Sequence, residues 1–361
     1  LRREIVTLYF VLSLFKIDMN DKIISSRRYW AVIAAVVVGV AVLVFYRPQV
    51  KHYMSDQGVV WTTDYHVTYE ASHNMSDSIQ RVFDLIDNSA SVFNPRSLVS
   101  RINQNKTDRL DSCLMRMYRT ALAVNKASGG AYDPTVMPLV NAWGFGYKRG
   151  QLPDKKMIDS LLHIVGIGKT RIEAGRLVKS DPRIQFDFSS IAKGLACDEV
   201  GRALERGGAA SYMVEIGGEI ACKGHNAQGE KWHVSIDMPI EDNARVEHQP
   251  ALVIALDGGG VATSGNYRKY KEVAGKKVSH IVNPITGYSS ESDLLSVTIV
   301  APDCMTADAW ATACMVMGTA RTRQLMEGNR HLGVMTISAD AQGNYVVWSN
   351  KRFASLVTSQ Q

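Results

Sequence analysis

From Asp77 to Ala90 the apolar residues Ile79, Val82, Phe83 and Ile86 recur three or four apart, the spacing of one helix face. Leu114 to Ala127 repeats that pattern and is closed by Gly129-Gly130, and Leu152 to Gly166 reads as a helix entering a turn. Asn94-Pro95 marks a turn before a short helix. Another helix is expected from about Ile191 to Arg206, N-capped by Ser189 or Ser190 and stopped by Gly207-Gly208, and one more from Thr306 to Met317. β-Branched and aromatic runs predict strands at Val59–Tyr69, Ile184–Phe188, Tyr212–Ile220, Trp232–Met238, Leu252–Leu256 and Leu295–Val300, with a strand pair over Gly333–Trp348. Strands in runs with helices between them predict an α+β fold with mixed sheets.

Trp30 to Tyr46 departs from both periodicities. It is an uncharged apolar run of 17 residues, at the short end of what spans a bilayer, with Arg27-Arg28 before it and Arg47-Pro48 after it. Lys22, Arg27 and Arg28 favour a cytoplasmic N-terminus, although Arg47 and Lys51 dilute that bias. No small-residue cleavage site follows the run, and no Cys stands where a lipoprotein is lipidated. The expected organisation is a cytoplasmic segment at 1–29, a single-pass signal anchor at 30–46, a linker at 47–58 and an extracytoplasmic domain at 59–361. Met19 opens an ordinary basic lead into the anchor, so residues 1–18 are expected to be a gene-start artefact.

The charge balance excludes one class of function. Net charge is +6, of which residues 1–46 carry half (six Lys/Arg against three acids), and the long remainder shows no clustered basic face for nucleic acid. The five cysteines have no C-x-x-C or Cys/His metal spacing and read as buried small hydrophobes. Gly166-Ile167-Gly168-Lys169-Thr170 resembles a phosphate loop, but His163 stands where its first Gly belongs. GxSxG and HExxH are both absent.

Four stretches hold candidate chemistry. Asp308 and Thr312 lie four apart, on one helix face, with Asp308 expected in the first turn; a carboxylate and a hydroxyl suit Mg²⁺, and they equally suit a capping Asp and a core Thr. Asp187 ends a strand, and Lys193 is expected in the first turn of the next helix, where backbone N–H groups and an ammonium can hold a phosphate. Glu215-Ile216-Gly217-Gly218-Glu219 is a Gly-Gly turn between strands. Val261 to Gly287 opens with an Ala262–Gly265 turn and closes on Ser279-His280-Ile281-Val282-Asn283-Pro284-Ile285-Thr286-Gly287, which places His280 at the end of a short strand facing a loop.

Taken in order, YDPTV-PLVNAWGFG, DFSSIAKG, EIGGE, ATSG, SHIVNPITG and ADAWAT closely resemble the ApbE family, the FAD:protein FMN transferases. The resemblance runs from about Val59 to the C-terminus and includes the SVFNPRSLVSRIN segment. It implies a two-lobed fold with FAD in the cleft and a divalent metal, Mg²⁺, on the FAD pyrophosphate. Asp308, Thr312 and the Ser190 carbonyl match the metal ligands. Ala131, Tyr132, Asp133, Asp187, Lys193, Thr263, Ser264 and Gly265 match the FAD site, with Trp61 and Val282 as looser matches, and His280 matches the catalytic histidine. The implied activity moves FMN from FAD to a Ser/Thr hydroxyl of an extracytoplasmic flavoprotein, such as a subunit of a Na⁺-pumping or electron-transfer membrane complex, and releases AMP. Asn283 stands where many members have Asp, Ser189-Ser190 where many have Gly or Ala, and the lipobox of many members is missing. Two alternatives remain at this stage: an Mg²⁺-dependent FAD pyrophosphatase and a membrane-tethered FAD-binding protein without catalysis.

Overall fold

A computed structural model describes residues 52–146, 152–239, 250–265, 270–273, 276–290, 292–340 and 342–360, together with the helical Ala34, Val38 and Gly39. The rest of the Trp30–Tyr46 run lies outside the described residues, among which no helix is long and apolar enough to cross a membrane. Residues 52–361 form one compact unit.

In chain order this unit contains β1 (His52–Val60), β2 (Thr63–Ala71), α1 (Ser76–Ala90), α2 (Leu98–Asn103), α3 (Ser112–Ala127), α4 (Met137–Ala142) and α5 (Lys155–Leu162). There follow β3 (Thr170–Glu173), β4 (Arg176–Lys179), α6 (Ser189–Arg206), β5 (Tyr212–Ile216), β6 (Glu219–Lys223), β7 (Trp232–Asp237), β8 (Pro250–Leu256), β9 (Gly258–Gly265), β10 (Tyr270–Val273) and β11 (Lys276–Ser279). The last elements are β12 (Leu294–Ala301), α7 (Cys304–Met326, broken at Gly318), β13 (Gly333–Ala339), β14 (Tyr345–Ser349), α8 (Lys351–Ala354) and β15 (Val357–Gln360).

An eight-stranded sheet in the order β1-β2-β5-β6-β9-β12-β13-β14 is the frame of the unit. Side chains alternate across it, as the strand repeat of two requires. Ile220, Cys222, Val261, Val300, Met335 and Ile337 face a three-stranded sheet, β15-β8-β7, and share a core with its Trp232, Val234, Ile236, Leu252 and Ile254. Their neighbours Ala221, Ala262, Ile299, Ala301 and Val334 point the other way, into the larger core built with α6 and α7. Both faces of the central strands are therefore covered, which is why Leu294–Ala301 reads as a nearly unbroken apolar run.

The α+β class is as expected, but the pattern misled in several places. Every ladder between the described strands is antiparallel, where mixed sheets were expected; the one parallel contact is the isolated bridge Val136↔Gln185. Two-residue turns explain much of this, since only antiparallel strands can be joined that way. Val59–Tyr69 and Tyr212–Ile220, each read as one strand, turn back at Trp61-Thr62 (φ +49° and +66°) and Gly217-Gly218 (φ +62° and +98°). The linker expected to reach Gly58 ends earlier, because His52–Gly58 pairs with β2 as an edge strand whose polar, half-exposed side chains hide it from a hydrophobicity reading. One continuous apolar core joins α1, α3, α6 and α7 to the sheet.

Ile184–Phe188 is not a strand. Its Phe186 N–H donates to Asn103 Oδ1 (2.7 Å) and its carbonyl accepts from Asn103 Nδ2 (2.8 Å), so one buried amide side chain replaces a neighbouring strand. Ala262–Gly265, expected as a turn, is the end of β9. The glycines before it carry no side-chain pattern, and they have a steric reason. A Cβ on Gly260 would lie 2.2 Å from the Cys304 backbone, and one on Gly194 of α6 would lie 2.5 Å from the Cys304 carbonyl oxygen. The start of α7 is thus clamped between β9 and α6 at distances that only glycine allows.

Gly194→Ala should therefore force α6 and α7 apart. Chemical denaturation should show a loss of about 2–3 kcal/mol, where an exposed helical Gly→Ala change would stabilise.

Candidate active site

At that crossing the chain buries charge. Lys193 on α6 forms an ion pair with Glu219, the first residue of β6, and their side chains are 34% and 5% exposed. Asp308 on α7 is buried beside them, and its Oδ2 accepts from the Gly194 N–H at 3.0 Å. Burial raises the pKa of Asp308, and Lys193 and the Gly194 N–H oppose the rise. Burial likewise pushes Glu219 up, and Asp308 adds to the shift while Lys193 counters it. Burial works against the Lys193 ammonium, but Glu219 and Asp308 outweigh it and raise its pKa. Two carboxyl groups thus face one ammonium in a poorly solvated place, and burial pushes both toward their protonated forms.

Because α6 and α7 begin at Ser189 and Cys304, both Lys193 and Asp308 fall in the second helical turn and not the first. The expected Ser189/Ser190 cap is corrected for the same reason. Both serines are helical, Asp187 Oδ1 accepts from the Ser189 N–H (2.8 Å), and Ser190 Oγ donates to the Tyr132 hydroxyl (3.1 Å). Asp303 is the cap of α7, accepting from the Thr306 N–H at 2.8 Å.

Tyr132 brings a second segment to the cluster. Burial raises its phenol pKa, and Asp308, Asp187 and Asp133 all lie within electrostatic range. The segment is fixed by its own polar groups. Asp133 Oδ1 accepts from the Thr135 N–H and hydroxyl (2.8 and 2.6 Å), and Oδ2 accepts from the Ile167 N–H and Asn125 Nδ2 (2.8 and 3.2 Å). Asn125 Nδ2 also donates to the Tyr132 carbonyl (2.7 Å), and the Asp187 N–H to the Pro134 carbonyl (2.7 Å). The Asp133 carboxylate therefore holds the 131–136 loop in shape. Ala131 is buried at its start.

His280 follows β11 directly, at the end of a short strand as expected, and Phe145 meets its ring edge-on at 6.4 Å. The loop behind it is rigid. Asn283 Oδ1 accepts from the Ile285 and Thr286 N–H groups (2.9 and 3.2 Å), and the Gly287 N–H returns to the Asn283 carbonyl (2.8 Å). Trp143 Nε1 donates to the Gly287 carbonyl (2.9 Å), and Val282 packs with Leu139 and Val165 in a small separate core.

The structure thus unites Tyr132, Asp187, Ser190, Lys193 and Asp308, with Thr312 one turn beyond Asp308. Thr263, Ser264 and Gly265 lie on β9 opposite Thr298, Val297 and Ser296, with the Thr263 and Thr298 hydroxyls 2.9 Å apart. Trp61 sits in the β1–β2 turn against Phe83, and Val282 serves its own apolar core, so both lie outside the charged cluster. All five cysteines are buried and free. Sequence reasoning noted Glu219 only as part of a turn. An acid heading the otherwise apolar run Ile220-Ala221-Cys222 was the available signal.

The profile of the ApbE family matches residues 61–336. This chain belongs to the ApbE family. Among curated relatives in the family, the FAD:protein FMN transferase of Haemophilus influenzae is 33% identical over 325 residues, covering 85% of this chain and 92% of the relative. That of Vibrio cholerae is 34% identical over 294 residues, covering 78% and 87%. Among solved structures, the flavin transferase ApbE from Vibrio cholerae superposes with a TM-score of 0.75 at 31% identity, covering 85% of this chain and all (100%) of that one. The ApbE protein of Thermotoga maritima gives 0.76 at 25% identity with the same coverage, 85% and 100%.

The ApbE-family substitution at Asn283 is intelligible from the turn, since its role is that of a side-chain oxygen acceptor, which Asp also supplies. The donor set also fits the metal that the ApbE resemblance implies. Among the described residues no three His, Cys, Asp or Glu side chains converge as a metal cage. One buried carboxyl and one hydroxyl a turn away are instead a modest donor set of hard oxygens, the kind that Mg²⁺ would complete with substrate phosphates and water.

Beside this site, Asp198 accepts from the Cys304 and Met305 N–H groups (2.9 and 3.0 Å), and burial raises its pKa from 3.8 to about 6. Between those values the unfolded carboxyl is ionised and the folded one still holds its proton. The folded state then binds more protons, so this group's contribution to stability falls as pH rises and levels off above about pH 7. The unfolding free energy of wild type minus that of Asp198→Asn should fall by on the order of 2–3 kcal/mol between about pH 4 and pH 7, read by denaturant titration. A flat difference would show that Asp198 ionises normally.

Proposed function

We propose that this chain is an FAD:protein FMN transferase that moves FMN from FAD to a Ser/Thr hydroxyl of an acceptor flavoprotein and releases AMP. The observation that carries the reading is the convergence of Lys193, Asp308, Ser190, Asp187 and Tyr132 in one charged cluster, in a chain with His280 on a rigid loop and relatives named for this activity. Lys193 offers an ammonium to the FAD phosphates, and Ala131, Tyr132, Asp187, Thr263, Ser264 and Gly265 would line the rest of the site, with Trp61 and Val282 at its margins. Asp133 would act through the shape of its loop.

His280 accepts the proton of the acceptor hydroxyl as that oxygen bonds to the FMN-side phosphorus. The bond between this phosphorus and the bridging oxygen breaks, and its electron pair leaves with AMP. Asp308, Thr312 and the Ser190 carbonyl would hold Mg²⁺, which when bound neutralises charge on the pyrophosphate. A hydroxyl is a weak nucleophile, so a base close to neutral pH suits the task.

The apolar run Trp30–Tyr46 supports a single-pass anchor in the cytoplasmic membrane, with residues 1–29 inside and the compact unit on the periplasmic side. Acceptors there would be subunits of membrane Na⁺-pumping or electron-transfer complexes, within reach of a tethered enzyme.

Full-length protein incubated with FAD, Mg²⁺ and an acceptor domain bearing a Ser/Thr flavinylation site should raise the acceptor's intact mass by one FMN. His280→Ala should slow labelling by about 10²–10⁴-fold while leaving FAD affinity within a few fold. Full activity in that variant would remove the proposed base. Asp308→Ala should shift half-maximal activity to much higher Mg²⁺, and an unchanged metal response would refute the ligand assignment.

A further inference from the structure

We propose that Glu219 is a positioning residue for Lys193, holding its ammonium at the α6–β6–α7 junction in the orientation that receives the FAD phosphates. The proposal rests on the transferase reading of Lys193 and adds a residue to it.

Glu219 is the first residue of β6, directly after the Gly217-Gly218 turn, and both its flanks are fixed. Its backbone pairs with Ile216 across the hairpin, and its carbonyl accepts from the Cys197 thiol of α6 at 3.2 Å. The side chain is therefore delivered to Lys193 from a rigid strand end. The burial is unequal: a third of the Lys193 side chain (34%) is exposed, against 5% for Glu219. The carboxylate is thus enclosed, and it holds the lysine ammonium at the junction while part of the lysine side chain stays accessible.

Stability alone does not account for this arrangement. A buried ion pair gains little over an apolar pair of the same volume, because desolvation consumes most of the attraction. Here the second buried carboxylate, Asp308, makes it less favourable still. A long lysine on a helix has several rotatable bonds, and a fixed carboxylate behind it removes that freedom before substrate arrives.

The sign of one measurement separates positioning from simple electrostatics. FAD carries negative phosphates, so deleting a nearby negative charge should tighten its binding if Glu219 acts only through its field. If Glu219 acts by orienting Lys193, the deletion should weaken binding. FAD affinity is read by flavin fluorescence on full-length protein in EDTA, so that no metal contributes, with kcat/KM for transfer measured alongside. We expect Glu219→Gln to weaken FAD binding by about tenfold and to lower kcat/KM by about 10–100-fold, the range for removing a supporting partner. In the Lys193→Met background the same change should add less than about a twofold loss.

Tighter or unchanged binding in Glu219→Gln overturns the proposal, as does an undiminished loss in the Lys193→Met background. Wild-type affinity in Lys193→Met alone overturns the Lys193 reading itself and the proposal with it. If Glu219→Gln fails to fold, Glu219→Asp keeps the charge but withdraws it by one methylene, and it should weaken binding in the same Lys193-dependent way.

Discussion

The near contact of α6 and α7, with β9 pressed against the same helix end, is the constraint on which the rest of this structure depends. Gly194 and Gly260 leave no room for a side chain against the Cys304 backbone, so the two helices meet at a single register. That register places the Gly194 N–H on Asp308 and Asp198 on the first N–H groups of α7. A helix end has unsatisfied N–H groups that must find partners when buried. Here Asp198 supplies some of them from the neighbouring helix and Asp303 supplies another from its own chain end. The crossing therefore combines close backbone packing with buried charge.

Charge at such a place is expensive to keep, and the chain distributes that cost. Asp308 and Glu219 share one ammonium, and Tyr132 and Ser190 complete a polar wall by hydrogen bonding to each other. Burial favours the protonated form of each carboxyl, and Lys193 opposes that shift in both. By contrast, the carboxylate of Asp133 is spent on four hydrogen bonds that fix a loop. Two aspartates in separate motifs thus do different work, and only their partners distinguish them.

Much of this was legible in the sequence, and the failures have physical reasons. Helices α1 and α3 and strand β7 announce themselves because burial imposes a period on their side chains, and β12 and β13 because burial on both faces keeps them apolar. Strand β9 does not, because it opens with three glycines, of which Gly260 meets the Cys304 backbone. Strand β1 does not, because an edge strand held by backbone pairing can be polar. The candidate residues were legible through ordered motifs, whereas Glu219 was not. Its significance lies in a partner on another element, and no local pattern records an ion pair formed across a fold. Asp198 was hidden likewise, because its partners are N–H groups on another helix.

The two halves of the proposed chemistry are built by different means. The phosphate side is held by buried charge at a helix crossing, where small displacements change electrostatic energy strongly because the surroundings are poorly polarisable. The base side is held by a turn, with Asn283 closing its own loop and Trp143 tying that loop to the segment that carries Phe145. A turn of this kind fixes the backbone next to His280, a half-buried residue at the start of that loop. A transferase needs that asymmetry. One substrate must be gripped before reaction, and the other arrives attached to a protein too large to be enclosed, so the base has to stand at an open edge of a rigid frame.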